Sequence, residues 1–259
     1  MNNKLRLPIG VLTGLILIGS VAVLSGAEPR GPRISTDHEI YDFGYIPEYA
    51  EVSHVFWLRN SGDQPVTIDK LIPNCGCTQA SIGKHDLKPG DSSRVELIFG
   101  SHNYHHEVEK FAQVVSNAKG RVPALTFQAY VVADSETIGP LEAIPRALDF
   151  GKLSPEKDGN GWVSRFTLVN HGKAPITVTT LDKPDQVIVT DGFNGTLQPG
   201  QKTEVTVRFD TDVQAEPFSK SLTFKVSGDS EERLTVPIFK FKDTSTSQVE
   251  GNSRAGTDG

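Results

Sequence analysis

The sequence predicts an all-β protein: two tandem β-sandwiches behind an N-terminal apolar segment. Three observations carry this expectation. The chain repeats itself, its apolar residues alternate with a period of two, and after residue 27 no stretch has the 3.6-residue period of a long helix. Leu58-Arg59-Asn60-Ser61-Gly62-Asp63-Gln64-Pro65-Val66-Thr67-Ile68 returns as Leu168-Val169-Asn170-His171-Gly172-Lys173-Ala174-Pro175-Ile176-Thr177-Val178, an offset of 110. Leu87-Lys88-Pro89-Gly90 returns as Leu197-Gln198-Pro199-Gly200 at the same offset, whereas Asp42-Phe43-Gly44 returns as Asp149-Phe150-Gly151 at 107. Three extra residues in the later copy, placed most simply around Glu156 to Gly161, account for the difference.

The elements follow in order. Lys4 and Arg6 precede the apolar stretch Leu7 to Leu24, and Ser25-Gly26-Ala27 supplies small residues that a signal peptidase accepts. Residues 1–27 are therefore expected to be a signal peptide cleaved after Ala27, or an N-terminal membrane anchor, since 18 mostly apolar residues suffice to span a bilayer. No cysteine lies there to carry a lipoprotein anchor. Residues 28–33 read as a spacer, 34–133 as the first domain, 134–140 as a polar linker ending in Gly139-Pro140, 141–242 as the second domain, and 243–259 as a disordered tail of Ser, Thr, Gly and charges. Within each copy Phe56 and Leu58 alternate with Trp57 and Arg59, or Val205 and Val207 with Thr206 and Arg208. Runs of Val, Ile, Thr and Phe punctuated by Asn-x-Gly and Pro-Gly predict roughly seven antiparallel strands per copy, the size and strand number of an immunoglobulin-like sandwich. Asp42 and Asp149 recur within the repeated phrase and are expected to receive backbone N–H bonds at a turn.

The net charge of -6 and pI near 5.7 leave no basic surplus for neutralising phosphates. Nucleic acid binding is not expected, and membrane association is expected only through the N-terminal helix if that helix is retained.

Asp42-Phe43-Gly44, the strand His54-Val55-Phe56-Trp57-Leu58-Arg59-Asn60 ending in Asn-Ser-Gly, Cys75-Gly76-Cys77-Thr78 and Leu87-Lys88-Pro89-Gly90 together resemble the bacterial domain of unknown function numbered 1573. That family is similar to the immunoglobulin-like domains of abnormal spindle protein, Hydin and the major sperm protein. The second copy keeps Asp149-Phe150-Gly151, Asn170-x-Gly172 and Leu197-x-Pro199-Gly200 but lacks the cysteines, and it resembles the broader immunoglobulin-like group. The resemblance implies fold and export, and it brings no biochemical activity.

Cys75 and Cys77 are the only cysteines, and the second copy has Asp185-Gln186-Val187 in their place, so the framework does not need them. Antiparallel strand counting puts Cys75, Cys77 and the His102 to His106 loop at one pole of the first domain, with His54 there too and His85 at the other pole. Three readings of the pair stay open. The cysteines could form a structural disulfide with Gly76 easing the tight ring, or bind Cu or Zn together with imidazole from His54, His102, His105 or His106, or act as a redox pair. For the histidine loop the plain alternative is a solvated turn, and for His54 a strand-end histidine satisfied by backbone.

No Gly-x-Ser-x-Gly, phosphate-loop or His-Glu-x-x-His signature occurs, so an enzyme is not expected. Two function classes remain: a non-catalytic exported scaffold that binds an envelope protein partner, or a metal-binding or thiol-redox module at the cysteine pole.

Overall fold

The computed structural model describes residues 31–241 apart from 138, 154, 160, 185–186, 190–192 and 210–216. The segments expected as leader or anchor (1–27) and as tail (243–259) lie outside the described residues, as do Asp185, Gln186 and the loop matching the histidine cluster. Among the described residues every regular element is a strand, and no helix is long and apolar enough to cross a membrane.

The first copy contains β1 (Ile34–Thr36), β2 (Ile40–Pro47), β3 (Glu51–Asn60), β4 (Val66–Pro73), β5 (Thr78–Ile82), β6 (Asp86–Leu87), β7 (Ser92–Gly100), β8 (His106–Ser116) and β9 (Ala124–Val132). The second contains β10 (Leu141–Ile144), β11 (Leu148–Asp149), β12 (Glu156–Asp158), β13 (Gly161–Asn170), β14 (Ile176–Asp182), β15 (Val187–Val189), β16 (Gly195–Leu197), β17 (Lys202–Phe209), β18 (Phe218–Ser227) and β19 (Glu231–Lys240). The two series correspond strand for strand except at β12, which forms a hairpin with β13 through Asp158 and Gly161, where the repeat offset places the extra residues.

Each copy has a small sheet of its own, ordered β1-β3-β7-β5 in the first and β10-β13-β17-β15 in the second. The facing sheets are not separate. They join into one ten-stranded sheet ordered β16-β14-β18-β19-β2-β9-β8-β4-β6, with β11 also on β19. This corrects the expectation of antiparallel pairing throughout: β2 runs parallel to β9, β11 parallel to β19, and β19 parallel to β2. The cause is a change of sheet. β1 and β10 pair with β3 and β13 in the small sheets, and the chain then crosses to the facing sheet as β2 or β11. The same crossing divides the first strand of each copy into two elements, one in each sheet, and contributes to the nine and ten strands found where roughly seven are expected.

Inward-facing residues of each copy form their own core. Phe43, Phe56, Phe99 and Phe127 fill the first, and Phe166, Phe209, Leu222 and Phe224 the second. The repeated phrases are turn devices, as expected. Gly44 N donates to Asp42 Oδ1 (2.7 Å) and Gly151 N to Asp149 Oδ1 (2.9 Å). The glycines of the Pro-Gly turns, Gly90 and Gly200, sit at φ 86° and 74°, which L-residues rarely adopt.

The buried Asn60 amide donates to the carbonyls of Gln64 and Leu87, while its oxygen accepts Gly62 N–H; Asn170 repeats all three bonds with Ala174, Leu197 and Gly172. Asn60→Ala and Asn170→Ala should each cost about 3 kcal/mol, because buried carbonyls and an amide lose their partners together. Urea unfolding followed by tryptophan fluorescence checks this, and a loss within error of zero in either variant would refute it.

Candidate functional site

The structure divides the six residues singled out from the sequence among three settings. Cys75 and Cys77 are joined as a disulfide with Cα atoms 5.3 Å apart, so among the readings left open the pair is oxidised. The histidine loop lies at the same pole, since Gly100 N donates to Cys77 O at 3.0 Å. Its imidazoles have partners of their own. His102 rests against the rings of Tyr49 and Phe241, His105 Nδ1 lies 3.6 Å from Glu48, and His106 packs on Tyr130 with Nε2 3.8 Å from Glu136. Among the described residues no group of three or more His, Cys, Asp or Glu side chains is placed to hold a metal ion.

His54 is the correction. Strand counting puts it beside the cysteines with its ring satisfied by backbone, and instead it is buried at the junction of the two copies and bonded by side chains. Its Nδ1 lies 2.9 Å from Asp182 Oδ2 of the second copy, and its Nε2 lies 2.8 Å from His38 Nε2. The reason is the direction of its strand face. His54 points inward with Phe56 and Leu58, toward β2, and stacks on Tyr41 with centroids 3.5 Å apart and planes 9° from parallel.

The junction is built from small hydroxyl residues. β1 covers β3 only as far as Leu58, and the second copy covers the edge beyond it: Ser53 N donates to Ser221 Oγ, and Ser53 Oγ to Ser219 O. A bulge in β2 between Asp42 and Tyr45 turns two carbonyls toward β19, where Arg233 donates to Asp42 O at 2.8 Å and Thr235 Oγ1 to Phe43 O at 2.6 Å. Because Thr235 gives its proton to Phe43, the order of donors is fixed: Tyr41 donates to Thr223, and Thr223 to Thr235. Lys220 and Glu96 add an ion pair at 2.9 Å, with both side chains largely buried.

Burial lowers the His54 imidazole pKa, so the ring is neutral and donates its Nδ1 proton to Asp182. Burial acts to raise the Asp182 carboxyl, but the His54 hydrogen bond and its companions hold it below the ordinary value. His54 Nε2 then offers a lone pair, and His38 must be the donor between the two rings. Asp37 Oδ2 lies 3.2 Å from His38 Nδ1 and extends the line to Asp37, His38, His54, Asp182. The Asp182–His54 pair thus has an oriented imidazole, but its second nitrogen faces His38 and not a hydroxyl nucleophile.

Comparison with known proteins places both copies. Residues 34–131 match the family described as a protein of unknown function, DUF1573. The first copy carries the DUF1573 match. Residues 140–238 match the HYDIN/CFA65/VesB-like immunoglobulin-like domain, so the expected likeness holds for the second copy as well. No curated protein matches the chain. Among solved structures, a Porphyromonas gingivalis W83 protein of unknown function is 14% identical over 80% of this chain and 99% of its own, with a TM-score of 0.32. The Vibrio cholerae VesB protease is 17% identical over 38% of this chain and 31% of its own (TM-score 0.32). The Caenorhabditis elegans MSP-domain-like protein SSP-19 is 17% identical over 39% and 99% (TM-score 0.29). At such TM-scores these likenesses carry no argument about function.

The repeat now compares two equivalent surfaces. On the outer face of β14 and β18, Asp182, Ser221 and Thr223 receive the DUF1573 copy. The residues 110 positions earlier are Ile72, Phe111 and Gln113, and the register agrees, Ile72 lying opposite Gln113 as Asp182 lies opposite Thr223. In the DUF1573 copy this face is open: Ile72 is 40% and Phe111 38% exposed. The disulfide turn follows at its end, with Asn74 N donating to Phe111 O.

Proposed function

We propose that the protein is a non-catalytic binding scaffold of the cell envelope, exported or anchored through residues 7–24, whose partner is a protein that docks on the outer face of β4 and β8. One observation carries this reading. The face that buries a neighbouring sandwich in the second copy is uncovered in the first, where it presents Ile72 and Phe111 in place of Asp182 and Ser221. A pair of large apolar side chains on an open sheet face is the kind of anchor that protein interfaces use. The junction supports the scaffold part, because a shared sheet and a buried chain of hydroxyls hold the two copies in one fixed relation.

The test is capture from the envelope fraction by full-length protein and by an Ile72→Ser, Phe111→Ser variant of unchanged stability. A partner retained by the first and lost at least tenfold by the second is expected. Absence of any partner, or equal retention by both, would overturn the reading. Mature protein beginning at Glu28 or at Met1 distinguishes cleavage from anchoring, and a purely cytoplasmic fraction removes the envelope.

A further inference from the structure

We propose that Cys75–Cys77 is an exchangeable disulfide that oxidises the thiols of a polypeptide, with Thr78 as the residue that stabilises the leaving sulfur. Four observations converge on it. The bond closes a ring across a single intervening residue, and so short a loop constrains the unfolded chain little, which favours reduction relative to disulfides that close long loops. The second copy forms the same strands without cysteines at this position, so the bond is not a requirement of the fold. The approach is open at Gly76, where an added Cβ would meet nothing within 4 Å, and both cysteines are only partly buried, Cys77 against the first core. Finally, the buried Thr78 hydroxyl lies 3.4 Å from Cys75 Sγ and 3.8 Å from Cys77 Sγ, within reach of either sulfur.

The chemistry balances without another group. A substrate thiolate attacks one sulfur, the Cys75–Cys77 bond breaks as a mixed disulfide forms, and the other sulfur leaves as a thiolate that accepts the Thr78 hydrogen bond. A second substrate thiolate then attacks the mixed disulfide and releases the protein. The substrate dithiol loses two electrons and two protons to become a disulfide, and Cys75 and Cys77 gain them as thiols. A small disulfide such as oxidised glutathione reverses the step. The substrate class is a cysteine-bearing polypeptide, because the turn lies at the end of the face that carries Ile72 and Phe111; this choice rests on the binding reading above, whereas the reactivity of the bond does not.

The experiment follows release of the two protein thiols by mass after mixing oxidised full-length protein with reduced glutathione, and separately with a synthetic peptide holding two cysteines among apolar residues. Glutathione should reduce the bond at least tenfold faster than it reduces a disulfide closing a long loop in a reference protein. Thr78→Val should slow this about tenfold at unchanged melting temperature, and Thr78→Ser, which keeps the hydroxyl, should restore it. A bond that stays oxidised under conditions that reduce the reference overturns the proposal, and an unchanged rate in Thr78→Val overturns the role of Thr78. The peptide should react faster per thiolate than glutathione and lose that advantage in Ile72→Ser, Phe111→Ser. Fast glutathione exchange with no peptide advantage sinks the docking face and leaves the exchange standing.

Discussion

Gly44→Ala should cost about 4 kcal/mol or more, whereas Gly151→Ala, at the same place in the repeated phrase, should cost less than about 1 kcal/mol. Gly44 sits in the β2 bulge at φ +65°, and a Cβ built there would overlap the Arg233 carbonyl oxygen and lie 2.5 Å from its carbonyl carbon. Those atoms are backbone of β19, so relief requires the two strands to separate. Separation breaks the Arg233 and Thr235 bonds to the bulge carbonyls and leaves buried oxygens unpaired. At Gly151 the nearest atom is the Asp149 carboxylate oxygen at 3.1 Å, the end of a side chain that can move. The difference exists because only the first copy puts this turn against a neighbour. Urea unfolding of the two variants, with Trp57 reporting on one copy and Trp162 on the other, measures it. Equal losses at the two glycines would mean that β2 and β19 do not meet as described.

The contrast also marks what the sequence could convey. Period-two alternation is imposed by each sandwich on itself, so Phe56, Leu58, Val205 and Val207 reveal their inward faces locally, and the repeated Asn, Asp and Gly residues reveal turns that close within a few residues. Contacts between the copies obey no such period. A signal for them is nevertheless present in the comparison of copies: outward positions of β18 are Ser219, Ser221 and Thr223, where β8 has Glu109, Phe111 and Gln113. Small hydroxyls on an outward face admit a close neighbour and give it hydrogen bonds, whereas a glutamate and a phenylalanine suit an open surface. Strand counting places the histidine loop with the disulfide correctly, because connectivity fixes the end of a sandwich at which a loop emerges. It does not name the partners of these imidazoles, or His38 and Asp182 as those of His54, because such contacts depend on packing from other strands.

His54→Ala tests the junction from its centre and should destabilise the protein by about 3 to 4 kcal/mol, combining the space left by a buried ring with two lost hydrogen bonds. The ring fills the gap between Tyr41, Phe43 and Phe56, and its removal leaves Asp182 and His38 without their common partner. The pH dependence separates this from a packing loss alone. Burial holds the folded-state pKa of His54 below its ordinary 6.5, so on acidification the unfolded chain takes up this proton first. The contribution is therefore fully present above about pH 6.5 and is lost as pH falls from there toward the lowered folded value. With His54 in place Asp182 stays out of that window, since its lowered pKa makes a contribution that is complete above 3.8 and lost only below it. Urea midpoints from about pH 8 to about pH 5, measured with and without the His54→Ala substitution in a His38→Gln background, keep the half-buried partner out of the comparison. The gap in stability between the two proteins should narrow as the pH falls. A gap that stays constant or widens would mean that the ring is charged in the folded protein, and that Asp182 holds an imidazolium across the junction instead of orienting a neutral imidazole.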